Sequence, residues 1–379
     1  MTLFSNSGAD LNELAQIKDM RVMIISDAAP ERNGVGAYYQ DLIQYLQPKV
    51  GKLEIICPII QENGRWQGGL NIPLPGDTTQ KFLIPNFWNI KKRVRQFAPD
   101  VVIVPTPGLI GLAGAFQGRK HGATVLLGFH TWFEKLADMY WGRIEGALNR
   151  AYFWVSNKLL FRWSDIVVAN SDEMVQIANE FGSKQSFRVG TPVAFNFLNR
   201  PQADPVNKVA RIMFAGRLAA EKNLPAIIEA ARAHPDLEFS ISGDGPERAH
   251  VEKAALELPN LRYLGWLNRD ALLAQIDQHD CLVLPSHVES FGTIALESMA
   301  RGRITVVSRN CGICQWPELN KGLFIIEPHS NLTDMISSLK SIDSKLLVQK
   351  TSMGRTAAEQ LNNWSMGLWY SLLGSLNKK

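Results

Sequence analysis

The feature that most constrains this chain is an alternation of short apolar runs with longer amphipathic stretches, and it passes along the sequence twice. On the first pass, residues 22–25 are apolar, Gly34 and Gly36 follow, and residues 37–46 repeat their apolar groups at helical spacing. Further strand-sized runs stand at 53–57, 101–104, 125–128 and 166–169, with intervals between them long enough for helices. Continuous apolar runs fit strands buried on both faces, and parallel strands need long crossovers, so the pattern predicts a parallel sheet covered by helices. After Thr191, Pro201 and Pro205 predict a linker. The alternation then restarts at 212–215, 238–242, 262–264, 281–284, 305–307 and 323–326, with helices such as 224–233 between. The expected fold class is therefore α/β, two Rossmann-like doubly wound domains facing across a cleft. At 379 residues the chain suits two domains. They are expected over 1–198 and 199–359. Ligands of open sheets bind beyond the carboxyl ends of the strands, so the loops there are where functional residues are sought.

Composition narrows the classes. A hydrophobic share of 46% and a charged share of 20% describe an ordinary globular protein. A net charge of +4 is too mild to imply a nucleic-acid partner, and none is expected. Asp10, Glu13 and Asp19 argue against a signal peptide at the start, and no apolar run is long enough to span a bilayer. The expected location is the cytoplasm, with any membrane contact made from the surface, peripherally at the inner face. Four cysteines fit a reducing compartment. Cys311 and Cys314 form a C-x-x-C pair without the second ligand pair of structural zinc or the strand-to-helix setting of a redox motif. Their role is open, as is the oligomeric state, and no metal or cofactor is expected.

The most informative segment runs from Glu289 to Glu297, Glu-Ser-Phe-Gly-Thr-Ile-Ala-Leu-Glu, after a strand and into a helix. Phe291, Gly292 and Thr293 would then present backbone N–H groups at a positive helix end, where a diphosphate binds. Glu289 and Glu297 are badly placed to bind phosphate and better placed to accept hydrogen bonds from hydroxyls, on a sugar and a ribose respectively. Gly216 and Arg217 end the first strand of this half, and Lys222 follows five residues after Arg217; two cations there answer the charge that builds on a leaving diphosphate. Gly243-Asp244-Gly245 marks a tight turn after the next strand. Taken singly, each of these is an ordinary turn or a solvated rim; their order and spacing together carry the reading.

That combination resembles the large retaining glycosyltransferase family of GT-B fold known as group 1, or family four. Gly216-Arg217 with Lys222, Gly243-Asp244-Gly245 and the segment from Glu289 to Glu297 appear in the family's order, and the resemblance covers nearly the whole chain. It implies that Arg217 and Lys222 bind the donor diphosphate, Glu289 the transferred sugar and Glu297 the ribose. It further implies retention of configuration without a metal, a uridine diphosphate hexose as the favoured donor, and a C-terminal helix over 360–379 that packs back on the first domain. One departure stands out. Where the family often has consecutive glycines, this chain reads Asn310-Cys311-Gly312-Ile313-Cys314, which leaves the sugar open.

In the first half, Gly34-Val35-Gly36 resembles the family's N-terminal glycine loop and His130 its strand-end histidine. His130 is assigned to orienting hydroxyls near the reacting centre, with general-base action as the second choice. Between Lys81 and Phe97 five cations and no acid accompany Phe82, Phe87 and Trp88. In helical register Phe87, Ile90, Val94 and Phe97 would face the core, leaving Trp88, Lys91, Lys92 and Arg95 for anionic headgroups. A second aromatic-rich stretch runs from Trp132 to Trp163. These features favour a membrane lipid as acceptor. Transfer in polysaccharide or lipopolysaccharide assembly and a non-catalytic nucleotide-sugar-binding protein stand as alternatives.

Overall fold

A computed structural model describes residues 17–30, 34–60, 66–67, 69–74, 77–130 and 143–376. The chain divides into two compact units, one running up to Pro192 and taking in the residues after Asn362, the other spanning Val193–Asn362.

In the first unit the elements are β1 (Arg21–Ile25), α1 (Gly34–Leu46), β2 (Lys52–Ile56), β3 (Ile59–Ile60), β4 (Trp66–Gln67), β5 (Gly69–Leu74), β6 (Asp77–Pro85), α2 (Phe87–Phe97), β7 (Val101–Val104), α3 (Leu109–Lys120), β8 (Thr124–Phe129), α4 (Arg143–Trp163), β9 (Ile166–Ala169), α5 (Asp172–Glu180) and β10 (Ser186–Arg188). Six of the strands pair in parallel in the order β10-β9-β8-β7-β1-β2. The strand period of two divides their side chains between two cores. Met23, Ile25, Val102, Val104, Val125 and Leu127 meet Ile90, Val94 and Phe161 on one face. On the other, Val22, Ile24, Val101, Ile103 and Leu126 meet Tyr38, Leu42, Trp369 and Leu373.

Two features escape the apolar-run reading. Ser186–Arg188 is an edge strand, and an edge needs no continuous apolar run. Lys81 and Phe82 lie in the antiparallel hairpin β5–β6, so the helix begins only at Phe87, behind an Asn86 side chain that accepts the Asn89 N–H at 3.1 Å. Ile90 and Val94 reach the core and Phe97 packs against it as expected, but Phe87, at the open first turn, is half exposed. In the aromatic-rich stretch, Trp132, Phe133, Tyr140 and Trp141 fall outside the described residues. Phe161 is buried, whereas Trp154 is half exposed under Lys158.

The second unit contains α6 (Phe195–Asn199), β11 (Arg211–Ala215), α7 (Leu224–Ala233), β12 (Glu238–Ser242), α8 (Arg248–Glu257), β13 (Leu261–Gly265), α9 (Arg269–Gln278), β14 (Cys281–Leu284), α10 (Thr293–Ala300), β15 (Ile304–Ser308), α11 (Pro317–Asn320), β16 (Leu323–Ile326), α12 (Leu332–Ser341) and α13 (Ser344–Leu376). Its sheet is again parallel, in the order β13-β12-β11-β14-β15-β16. The connecting segment that enters it is held by a fully buried side chain. Arg301 donates to the carbonyls of Phe197, Arg200 and Pro201 and pairs with Asp277 at 2.8 Å. Helix α13 begins in the second unit and ends in the first, where Trp369 and Leu373 join the core.

Candidate active site

Strands β12, β11, β14 and β15 are consecutive neighbours, so their carboxyl-end loops leave from one edge of the second sheet. Backbone hydrogen bonds join these loops in pairs. The Leu218 N–H donates to the Asp244 carbonyl at 3.0 Å, the His287 N–H to the Glu221 carbonyl at 2.8 Å, and the Gly312 N–H to the Glu289 carbonyl at 2.9 Å. The approaches are close enough to select residues. A Cβ on Gly243 would stand 1.8 Å from the Gly216 carbonyl oxygen, and one on Gly312 would stand 1.9 Å from that of Ser290. Gly312 thus lets the 310–314 loop run beside residues 289–291, with Glu289 and Cys311 forming a parallel bridge.

Within this cluster Lys222 and Glu289 form an ion pair at 2.5 Å, with side chains 15% and 17% exposed. Lys222 sits in a single helical turn, Ala220–Lys222, closed by Asn223, whose side chain donates to the Pro285 carbonyl. Burial works against the Lys222 ammonium, but the Glu289 carboxylate, helped by Glu221, offsets it and the pKa stands above the ordinary value. Gly292 precedes α10 with φ of 97°, a left-handed conformation that suits glycine and turns the chain into the helix. The first amides of α10 have no acceptor within the helix, and they carry its positive end. Phe291, by contrast, is a buried anchor, edge-on to Trp316 at 6.5 Å. Arg217 is half buried on the Gly216 loop.

Glu297 lies one turn into α10 and is buried, and its Oε1 accepts from Arg269 at 2.6 Å. Burial raises its pKa, and Arg269 acts the other way. Sequence reasoning missed Arg269. Its only signal is that Asn268 reads as a cap: its side chain accepts the Ala271 N–H and starts α9 with Arg269 in the first turn. Cys311 and Cys314 are both free thiols, pushed up to about 12 and about 11 by burial. Among the described residues no three His, Cys, Asp or Glu side chains group as a metal site.

In the first unit, Gly34 and Gly36 open α1. His130 is buried at the end of β8, 2.9 Å from the Tyr39 hydroxyl. Burial lowers its pKa to about 3, so the ring is neutral. Asp27, after β1, was also missed. Its carboxylate accepts from the Ile110 and Gly111 amides at 2.8 and 2.9 Å and from the Thr106 hydroxyl at 2.9 Å, capping α3 from another loop. No sequence spacing reports a cap from so far along the chain. Trp88 is 77% exposed, with the Lys91 ammonium 5.2 Å from its ring centre. Lys92 and Arg95 follow at the helical spacing that keeps all four on one stripe. None of the described helices is long and apolar enough to cross a membrane.

Two family models match. Glycosyltransferase Family 4 takes residues 32–189 and Glycosyl transferases group 1 takes residues 197–351. A glycogen synthase of Mycobacterium tuberculosis is 30% identical over 190 residues, 47% of this chain and 45% of that protein. The chain thus spans about half the length of that relative. The sulfoquinovosyl transferase SQD2 of Arabidopsis thaliana is 20% identical over 349 residues, 86% of this chain and 67% of its own. Among solved structures, Anabaena HepE in complex with UDP-glucose superposes with a TM-score of 0.68 at 14% identity, covering 93% of this chain and 98% of that one. The matched models, one on each unit, and the paired parallel sheets place this chain in the group 1 glycosyltransferase family, with the GT-B fold of two Rossmann-like units.

Proposed function

We propose that this protein is a retaining, metal-independent hexosyltransferase that takes a sugar from a nucleoside diphosphate, a uridine diphosphate hexose being favoured. The observation that carries the reading is the Lys222–Glu289 pair, set among four stitched loops beside the amino end of α10. The diphosphate takes the α10 amides, Lys222 and Arg217, and the sugar hydroxyls take Glu289. A donor that engages Lys222 competes with Glu289 for its ammonium, so binding exchanges one charge-assisted contact for another. Glu297, steadied by Arg269, receives a ribose hydroxyl. Gly216, Gly243, Gly292 and Thr293 let backbone approach the donor, and Gly34 and Gly36 do the same in the first unit. His130 orients hydroxyls on the acceptor side. Fixed cations and amides need no reorganisation as the leaving group gains charge, and such preorganised groups supply much of the rate enhancement in group transfer.

The acceptor in this reading is a membrane lipid, met in the cytoplasm at the inner face of the membrane. The stripe of Trp88, Lys91, Lys92 and Arg95 supports this: an indole at the headgroup level with cations beside it is the arrangement that anionic bilayers attract. Incubation with a panel of nucleotide sugars and a lipid extract, with products read by mass spectrometry, tests both halves of the reading. Glycosylated lipid made from a uridine diphosphate sugar supports it. Donor turnover onto soluble glycans alone, with no flotation on anionic vesicles at low salt, overturns the lipid half.

A further inference from the structure

His130 offers two ring nitrogens in two different situations. Nε2 lies 2.9 Å from the Tyr39 hydroxyl, and that hydroxyl has no other hydrogen-bond partner among the described residues. Tyr39 comes from α1, while room for its oxygen is left by Gly128, where a Cβ would stand 1.9 Å away. The imidazole is also held across its face, by a Tyr38 ring whose centre is 4.4 Å from its own. Tyr38 in turn accepts the Trp369 indole N–H at 3.1 Å. Nδ1 is buried and has no hydrogen-bond partner among the described residues.

A buried hydroxyl has to place its proton on an acceptor, because leaving it unsatisfied costs more than a typical hydrogen bond returns. Nε2 is the acceptor that the surroundings of Tyr39 supply. A neutral imidazole that accepts at one nitrogen carries its proton on the other. We propose that Tyr39 is a positioning residue that fixes His130 as the Nδ1–H tautomer, so that the ring meets substrate as a hydrogen-bond donor and not as a base. The inference rests on the proposed acceptor-side role of His130 and narrows it: with Nε2 engaged by Tyr39, an oxygen of the sugar or of the acceptor is the partner that Nδ1–H takes. Gly128 and Trp369 serve the same end, one by admitting the Tyr39 oxygen and the other by bracing Tyr38.

Long-range 1H–15N correlation spectra of the full chain, labelled on histidine nitrogen, read the tautomer without any ligand. The His130 signals are recognised among the seven histidines by their loss in His130→Gln. The wild type is expected to show the Nδ1–H pattern at near-neutral pH. In Tyr39→Phe, which removes the donor, and in Gly128→Ala, which displaces it, the pattern should pass to Nε2–H or to a mixture. An Nε2–H pattern in the wild type overturns the proposal without any variant. An unchanged Nδ1–H pattern in folded Tyr39→Phe overturns the role of Tyr39. The spectrum is independent of catalysis: sugar transfer could fail altogether and leave the tautomer assignment standing, or proceed in a protein whose wild-type spectrum refutes it.

Discussion

Two side chains carry most of the chemistry ascribed to the second unit. Lys222→Ala is expected to lower the turnover number for sugar transfer by about 10²–10³, because one oriented contact to developing charge is worth about 3–4 kcal/mol. The pair is partly buried, so removing the lysine alone also strands Glu289, at a stability cost of up to about 3–5 kcal/mol. Joining Lys222→Met with Glu289→Gln should relieve much of that cost in urea unfolding while transfer stays low, which separates charge from folding. In the first unit His130 makes a prediction about pH. Its folded pKa is lowered from 6.5 to about 3 by burial. Between those values the unfolded chain binds a proton that the folded chain refuses. Stability is therefore complete above 6.5 and falls as the pH drops toward 3, by about 1.4 kcal/mol per pH unit for one proton. Urea unfolding at several pH values should show that slope, and His130→Gln should flatten it. An equal slope in the variant would mean that His130 is not the group responsible.

Elements were legible where burial writes a pattern. The interior strands 101–104, 166–169 and 281–284 match their apolar runs to the residue, since both faces of each are covered, and the edge strand 323–326 matches its run as well. The hairpin β5–β6 and the three-residue edge strand β10, Ser-Phe-Arg, were not legible, because polar residues and turn formers break up their apolar groups. The glycine loops were visible as glycines, but what each glycine approaches was not. The 310–314 loop, where the resemblance leads one to expect consecutive glycines, leaves the sugar open in the sequence. The structure shows that its remaining Gly312 lies against Ser290, with both cysteines turned to protein carbonyls. Gly312→Ala should push this loop off residues 289–291. The expected result is a loss of about 1–3 kcal/mol in urea unfolding and weaker nucleotide-sugar binding by calorimetry, with first-unit variants such as Trp88→Ala leaving that binding unchanged. The partnerships Glu297–Arg269, His130–Tyr39 and Asp27 with α3 were illegible for one reason: each joins residues far apart in sequence through tertiary packing.

On the scale of the whole molecule, the chain passes between its units twice among the described residues, the second time inside α13. Trp369 on that helix is fully buried in the first unit and bonded to Tyr38. Trp369→Ala should therefore cost about 3–5 kcal/mol, read as an early unfolding transition of the first unit. Removal of residues 363–379 should act in the same direction and further. The second unit, whose core is its own, should keep its transition and its nucleotide-sugar binding. Binding at the strand ends of that unit is what the functional reading depends on. A crystal structure with a bound nucleotide sugar tests it most directly. The diphosphate is expected against the first amides of α10 and within hydrogen-bond reach of Lys222, with Glu289 turned to the sugar; a ligand bound with that helix end and lysine untouched would contradict it.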